Sequence, residues 1–253
     1  MRVQLKAIFF DFDGTLAEDS DSIKDALSQA CVVVCSRWPE LNPAEVAVIY
    51  RQVSDVVWGD FDRRLRHLPS AEATLAAVWH QTLARWGFHD PRVEQEAAEI
   101  YWQYRLRTCK SYPDALPLLQ NLTGHFHLSV LTNGVPAMQR AKLVATGLAP
   151  FFQRVFVGGD FAYGKPDQAI FRAALEAADC RPDQALHVGD SLVHDIAGAR
   201  SVGIHSVWLN RRGLDPTDLD LADFDLTNLD PTPDFEIPGL ESLTEYLKRI
   251  SDE

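Results

Sequence analysis

Short runs in which nearly every position is apolar recur along the chain: LKAIFF at 5–10, FHLSVLT at 126–132, RVFVGG at 154–159, ALHVGD at 185–190 and IHSVWLN at 204–210. Such a run, lacking polar alternation, suits a strand covered on both faces, as in a parallel sheet. Between the runs the apolar positions shift to helical spacing. Residues 135–147 have Pro136 near the start and Gly147 where a left-handed cap would stand, 165–178 start at Pro166, and 194–203 close on Gly203. Strands alternating with helices of this kind predict right-handed βαβ units and a doubly wound, mostly parallel α/β sheet of the Rossmann-like type.

Residues 16–110 break the rhythm. Helix-period stretches follow one another at 21–38, 44–58, 71–87 and 92–107 with no convincing strand between them. They predict an all-helical domain inserted after the first strand, so the expected division is a catalytic core of 1–15 and 111–253 and a helical cap of 16–110. Trp58, Trp79, Trp86, Tyr101 and Trp102 are read as core filling of that insertion.

With 253 residues and 46% hydrophobic content the chain can bury a sizeable core. Its net charge of −12 has the wrong sign for neutralising phosphates or an anionic bilayer, so neither nucleic acid nor membrane is expected as a partner. Cys31, Cys35, Cys109 and Cys180 lack zinc-knuckle or redox-pair spacing and read as incidental thiols of a reducing compartment. The apolar start is cut short by Asp11, which argues against a signal peptide, and no stretch approaches the ~20 apolar residues of a membrane span. A soluble cytoplasmic protein is expected. The aspartates at 215, 218, 220, 223, 225 and 230 lack the glycine and terminal glutamate of an EF-hand and read as a solvated acidic loop.

In an open parallel sheet, ligands bind beyond the carboxyl ends of the strands. The predicted strand ends deliver Asp11 and Asp13, then Thr132 and Asn133, then Lys165 through a loop, then Asp190 with Asp195 following. Alternation puts Asp11 and Asp13 on one side, and Gly14 lets the chain turn at once. Carboxylates ~4 Å apart repel by roughly 4 kcal/mol at an effective dielectric near 20. The cluster therefore requires raised pKa values or a cation. Oxygen-only ligands favour a hard divalent ion, and magnesium suits a site that also touches a substrate phosphate. Lys165 and Thr132 add a positive charge and a donor that suit an anionic phosphoryl group.

DFDGTL, VLTNG, GKPD and VGDSLVHDIAGA, in this order and spacing, resemble the four motifs of the haloacid dehalogenase-like hydrolase superfamily, and the helical insertion resembles the cap of its class I members. Within it the chain is similar to the phosphatase branch, of the pyrimidine nucleotidase and N-acylneuraminate-9-phosphatase kind. The resemblance implies a phosphoric monoester hydrolase in which Asp11 is the nucleophile, forming an aspartyl-phosphate, and Asp13 the general acid and then base. Thr132, Asn133 and Lys165 would hold the phosphoryl group. Mg2+ would be bound by the Asp11 carboxylate, the Asp13 backbone carbonyl and the Asp190 carboxylate, with Asp195 orienting its waters.

Dehalogenases of the superfamily lack the acid two residues after the nucleophile, because a halide leaves without a proton, whereas an alcohol needs one; Asp13 therefore favours phosphate chemistry. The expected partner is a small phosphorylated metabolite such as a nucleotide or sugar phosphate. A phosphomutase is the nearest alternative, and a phospho-accepting receiver-like signalling domain the alternative of another class. Arg63, Arg64, Arg66 and His67 could meet an anionic or polar substrate group, although a charged helix face explains them better. The triplet Asp-Phe-Asp recurs at 60–62 and 223–225, but only at 11–13 does an apolar strand precede it.

Overall fold

The computed structural model describes residues 4–18, 20–59, 70–216 and 230–252. Arg63, Arg64, Arg66, His67, the triplets at 60–62 and 223–225, and most of the acidic loop lie outside them. The described chain groups into two compact units: residues 1–18, 111–133 and 146–253 form one, and 19–110 with 134–145 form the other.

The first unit is built on a six-stranded parallel sheet. Its strands are β1 (Ala7–Phe10), β4 (His127–Thr132), β5 (Arg154–Val157), β6 (Ala185–Gly189), β7 (His205–Leu209) and β8 (Phe235–Ile237); β2 (Ala17–Glu18) and β3 (Lys110–Ser111) are short and lie outside it. The order is β5-β4-β1-β6-β7-β8. β1 is central, with Phe10 opposite Val130 on one side and Val188 on the other. It is buried at all four positions, which is why its sequence shows no alternation. The order reverses at β1, between β4 and β6, and that is where an open sheet leaves a crevice.

Helices α5 (Ala115–Leu122), α7 (Gln168–Ala177), α8 (a helical segment made of Leu192–Ala197 and Gly198–Arg200) and α9 (Leu243–Asp252) belong to this unit. α7 begins two residues later than Pro166 suggests, because Asp167 caps it by accepting from the Ala169 N–H at 2.8 Å. Gly203 closes the α8 segment at φ +82, the left-handed stop that the sequence signals. β8, of three residues, lies outside the apolar runs, whereas α5 and α9 carry an amphipathic helical period that the elements expected above leave out.

The second unit is helical: α1 (Ser20–Arg37), α2 (Pro43–Gly59), α3 (Ala71–Leu83), α4 (Pro91–Thr108) and α6 (Pro136–Ala145). α1 buries Ala26, Leu27, Ala30, Cys31 and Val34, one face of a 3.6-residue period. Tyr50 packs between Trp79 and Tyr101, with ring centroids 4.5 and 5.4 Å away, and Trp38 stacks on Phe88. Ser70 caps α3 and Asp90 caps α4 through the N–H groups of Ala73 and Arg92. α6, assigned above to the sheet domain, groups with this unit, and Met138 on it and Val135 just before it are buried in the helical core. No helix among the described residues is long and apolar enough to cross a membrane.

Candidate active site

The first strand does not stop at its last paired residue. Asp11 N–H still donates to the Val188 carbonyl at 2.9 Å, which fixes Asp11 at the sheet edge, and Phe12 turns into the core, fully buried. The Phe12 carbonyl then accepts from both Leu16 and Ala17, and Gly14, at φ +82, donates to Ala17. This turn needs glycine twice over: the φ is left-handed, and a Cβ at position 14 would collide with the Asp190 carboxylate. Asp11 is 6% exposed and Asp13, two residues on, is half-buried.

Lys165 is buried, and its Nζ donates to Asp11 Oδ1 at 2.7 Å and to Asp195 Oδ1 at 2.5 Å. Its backbone is gripped by Asn133, whose Oδ1 accepts from the Lys165 N–H at 2.7 Å and whose Nδ2 donates to the Lys165 carbonyl at 2.9 Å. Asn133 fits because Gly158 and Gly164 leave it room; a Cβ on either would overlap its side chain. Asn133 was expected among the phosphate-binding residues, and its side-chain amide is committed to placing Lys165.

Asp195 sits in the first turn of α8, buried. Its Oδ1 accepts from Lys165 and from His187 Nε2 at 3.0 Å, and its Oδ2 from the Ser191 N–H at 3.0 Å. Gly189 gives it space, since a Cβ there would fall on the Asp195 carboxyl group. Asp195, expected to orient metal-bound water, holds Lys165, His187 and the α8 start through these bonds. Asp190 directly follows β6, with its carbonyl accepting from Trp208 Nε1 at 2.9 Å. Thr132 ends β4 at 2% exposure, and its hydroxyl lies 3.3 Å from the Asn133 carbonyl.

The electrostatics follow from burial and charge count. Burial pushes Asp11 well up, and the charges of Asp195 and Asp190 add to it against the pull of Lys165. Asp190 is pushed up to about 6, by burial first and then by Asp195. Asp195 goes the other way: burial opposes its charge, but Lys165 and His187 more than compensate and hold it low. Asp11 and Asp195 overcome burial to raise Lys165, while burial keeps His187 below its ordinary value and therefore neutral near pH 7. Asp11, Asp190 and Asp195 each bring a carboxylate oxygen within 4.8 Å of the others. Three carboxylates and one ammonium leave uncompensated negative charge, and an all-oxygen donor set of this kind fits a hard divalent cation such as magnesium.

Sequence reasoning missed His187, Ser191 and the glycines at 158, 164 and 189. His187 lies inside an apolar strand, and a glycine that makes room for a distant side chain leaves no local signal. A family profile for haloacid dehalogenase-like hydrolases matches residues 5–203.

The chain belongs to this family. Over 122 residues, about half of either chain (48% of this one and 49% of the relative), it is 42% identical to phosphoserine phosphatase of Thermus thermophilus. Over 98% of its own length and 99% of the relative's it is 28% identical to glyceraldehyde 3-phosphate phosphatase of Methanopyrus kandleri. Pyrimidine 5'-nucleotidase YjjG of Escherichia coli and N-acylneuraminate-9-phosphatase of Rattus norvegicus, the two kinds that the motifs resemble, match at 28% and 25% identity, over 64% and 83% of this chain and 69% and 84% of theirs. Among solved structures, 2-haloacid dehalogenase of Pseudomonas syringae pv. Tomato superposes with a TM-score of 0.71 at 28% identity, covering 97% of this chain and 99% of that one. The hydrolase of this family expected from the motifs is thus the kind of enzyme these relatives are.

Proposed function

We propose that this haloacid dehalogenase-like hydrolase is a magnesium-dependent phosphatase of small phosphomonoesters, working through an aspartyl-phosphate on Asp11. The observation that carries the reading is the buried Asp11 carboxylate, tied at 2.7 Å to an ammonium and followed two residues later by a second, less buried carboxylate.

Asp11 attacks phosphorus in line with the leaving alcohol. The bond from phosphorus to the alcohol oxygen breaks, and Asp13 delivers the proton that the departing alkoxide requires. Asp13 then takes a proton from water as that water attacks the same phosphorus, which frees Asp11 and inorganic phosphate. Lys165 neutralises Asp11 before attack and the phosphoryl oxygens after it, and it cannot swing away because Asp195 and Asn133 fix both its ends. The Thr132 hydroxyl and the Asn133 backbone N–H serve as donors to phosphoryl oxygens. The Asp11 and Asp190 carboxylates and the Asp13 backbone carbonyl would hold magnesium. When bound, it offsets the charge of the carboxylates and of the phosphate.

The likeness to a 2-haloacid dehalogenase favours a second reading, in which Asp11 displaces halide from carbon. Asp13 argues against it, since a halide needs no general acid. One experiment separates the two: the protein is assayed with magnesium against phosphoserine, glyceraldehyde 3-phosphate, pyrimidine nucleotides, N-acylneuraminate 9-phosphate and 2-chloropropionate, with released phosphate and chloride measured. Phosphate release that stops on chelation is expected. Chloride release without phosphate release, or full phosphatase activity after chelation, would overturn the proposal.

A further inference from the structure

The helical unit contains a group of metal-ligating side chains that the phosphatase chemistry does not use. His80, on the last turn of α3, and His89, in the connection to α4, both point their Nδ1 atoms at one oxygen of Glu94, in the first turn of α4. The distances to Glu94 Oε1 are 3.2 Å from His80 and 2.9 Å from His89. The two rings meet edge to face with centroids 4.9 Å apart, and the three ligand atoms all lie within 4.8 Å of one another.

The charge of Glu94 makes this more than a pair of hydrogen bonds. Its side chain is 7% exposed, while those of His80 and His89 are 50% and 59% exposed. A buried carboxylate calls for a positive partner. Among the described residues no lysine or arginine pairs with Glu94; the nearby arginine, Arg37, pairs with Asp90 at 3.5 Å instead. The partners of Glu94 are two imidazoles, each of which donates Nδ1–H to the carboxylate in the absence of an ion and, in the other tautomer with its proton on Nε2, offers the Nδ1 lone pair to a metal.

We propose that His80, His89 and Glu94 form a binding site for a divalent transition ion of the zinc type, which clips the end of α3 to the start of α4. Two imidazoles and one carboxylate are a zinc donor set, with water completing the coordination. A tetrahedral ion about 2.1 Å from each ligand sets neighbouring donor atoms about 3.4 Å apart. The nitrogen-to-oxygen distances seen here are a few tenths of an ångström shorter, and the half-exposed imidazoles have the freedom to open by that much. The local fold holds the three residues in place without the ion. Gly87 turns the chain at φ +75, Phe88 is anchored by stacking on Trp38, and Asp90 caps α4, so His89 is presented beside the first turn of that helix. The ion would join segments 14 residues apart in sequence and would stabilise the helical unit by mass action. None of its ligands belongs to the acidic cluster, so the inference stands apart from the phosphatase reading.

The test uses the full chain, stripped with chelator and then kept in excess magnesium to fill the acidic cluster. Co(II) is titrated in as a spectroscopic substitute, and zinc is added in a parallel thermal melt. One equivalent of Co(II) with the intense visible absorption of a low-coordinate, nitrogen-ligated ion is expected, together with a zinc-dependent rise in Tm of a few degrees. Both should be lost in Glu94→Gln and in His89→Gln and should survive in Asp190→Asn. His80→Gln, altering a half-exposed side chain, gives the same readout should Glu94→Gln fail to fold, and metal-free melts of each variant report folding. Absence of saturable Co(II) absorption, its persistence in the His89 and Glu94 variants, or its loss in Asp190→Asn would overturn the proposal.

Discussion

Lys165 meets two buried carboxylates with a single ammonium, and much of the chemistry of the site follows from that ratio. Asp195 keeps its charge, while Asp11 is left with its pKa raised and its nucleophilic oxygens dependent on Lys165 and a cation. Two substitutions separate the roles of the first two aspartates. Asp11→Asn should abolish both turnover and the trapped phosphoenzyme while the protein still folds. Asp13→Asn should retain both steps at rates lower by ~10²–10⁴, the usual contribution of general acid-base catalysis. Rapid-quench measurement of phosphoenzyme distinguishes them, and full turnover in Asp11→Asn would exclude it as the nucleophile. Lys165→Met strands Asp11 and Asp195 without their cation. A loss of about 3–5 kcal/mol in urea unfolding at pH 7 is expected, shrinking at acid pH as Asp11 takes a proton.

At the scale of elements, the strand ends supply the reacting groups and the glycines determine how closely those groups approach. β6 is the clearest case: Gly189 is its last residue, and the space a Cβ would need is filled by Asp195 from the start of α8. Gly189→Ala should push Asp195 and, through it, Lys165 out of line. A displacement of about 1 Å in a catalytic constellation costs ~10² in rate. The expected result is a fall of that order in kcat with an unchanged far-ultraviolet circular dichroism spectrum; wild-type kcat would show that the close contact is immaterial. Gly158 and Gly164 stand in the same relation to Asn133, one step further from the chemistry.

Across the sheet unit, distant segments are joined by a small number of polar contacts. Arg211, just after β7, grips Asp114 with both terminal nitrogens at 2.8 and 2.9 Å, lies over the Tyr112 ring, and reaches the Thr15 carbonyl; Asp114 also accepts from Leu240 N–H. These contacts tie the chain entering and leaving the insertion to the C-terminal part of the sheet. Asp114→Ala should therefore cost about 2–3 kcal/mol, measured as a lower urea midpoint with the active-site chemistry intact.

The acidic cluster gives stability a pH dependence of definite sign. Asp190 has its pKa raised to about 6, so between pH 4 and 6 the folded state binds more protons there than the unfolded chain does. Its contribution to stability falls as pH rises through that window. In chelator, Asp190→Asn should gain Tm relative to the parent as pH goes from 4 to above 6, and magnesium should raise the parent's Tm mainly at the upper end. A Tm difference independent of pH would refute the assignment.

What the sequence determined by itself was local or periodic. The apolar runs announced five of the six sheet strands because a strand buried on both faces tolerates few polar residues, and Pro136, Gly147 and Gly203 marked helix ends because backbone geometry restricts what can stand there. Asp11, Asp13, Thr132, Asn133 and Asp190 were legible because they end or closely follow such a strand, and Lys165 because it is reached from one through a loop. Only the tertiary structure decided that α6 packs with the helical unit, that β8 and α9 complete the sheet unit, and that Asn133 and Asp195 serve Lys165. It also decided that His80, His89 and Glu94 converge. These contacts join residues far apart in sequence, 32 positions for Asn133 and Lys165 and more for α6 and the helices it packs with, and nothing in the local pattern of a sequence encodes such approaches or the empty space beside glycines.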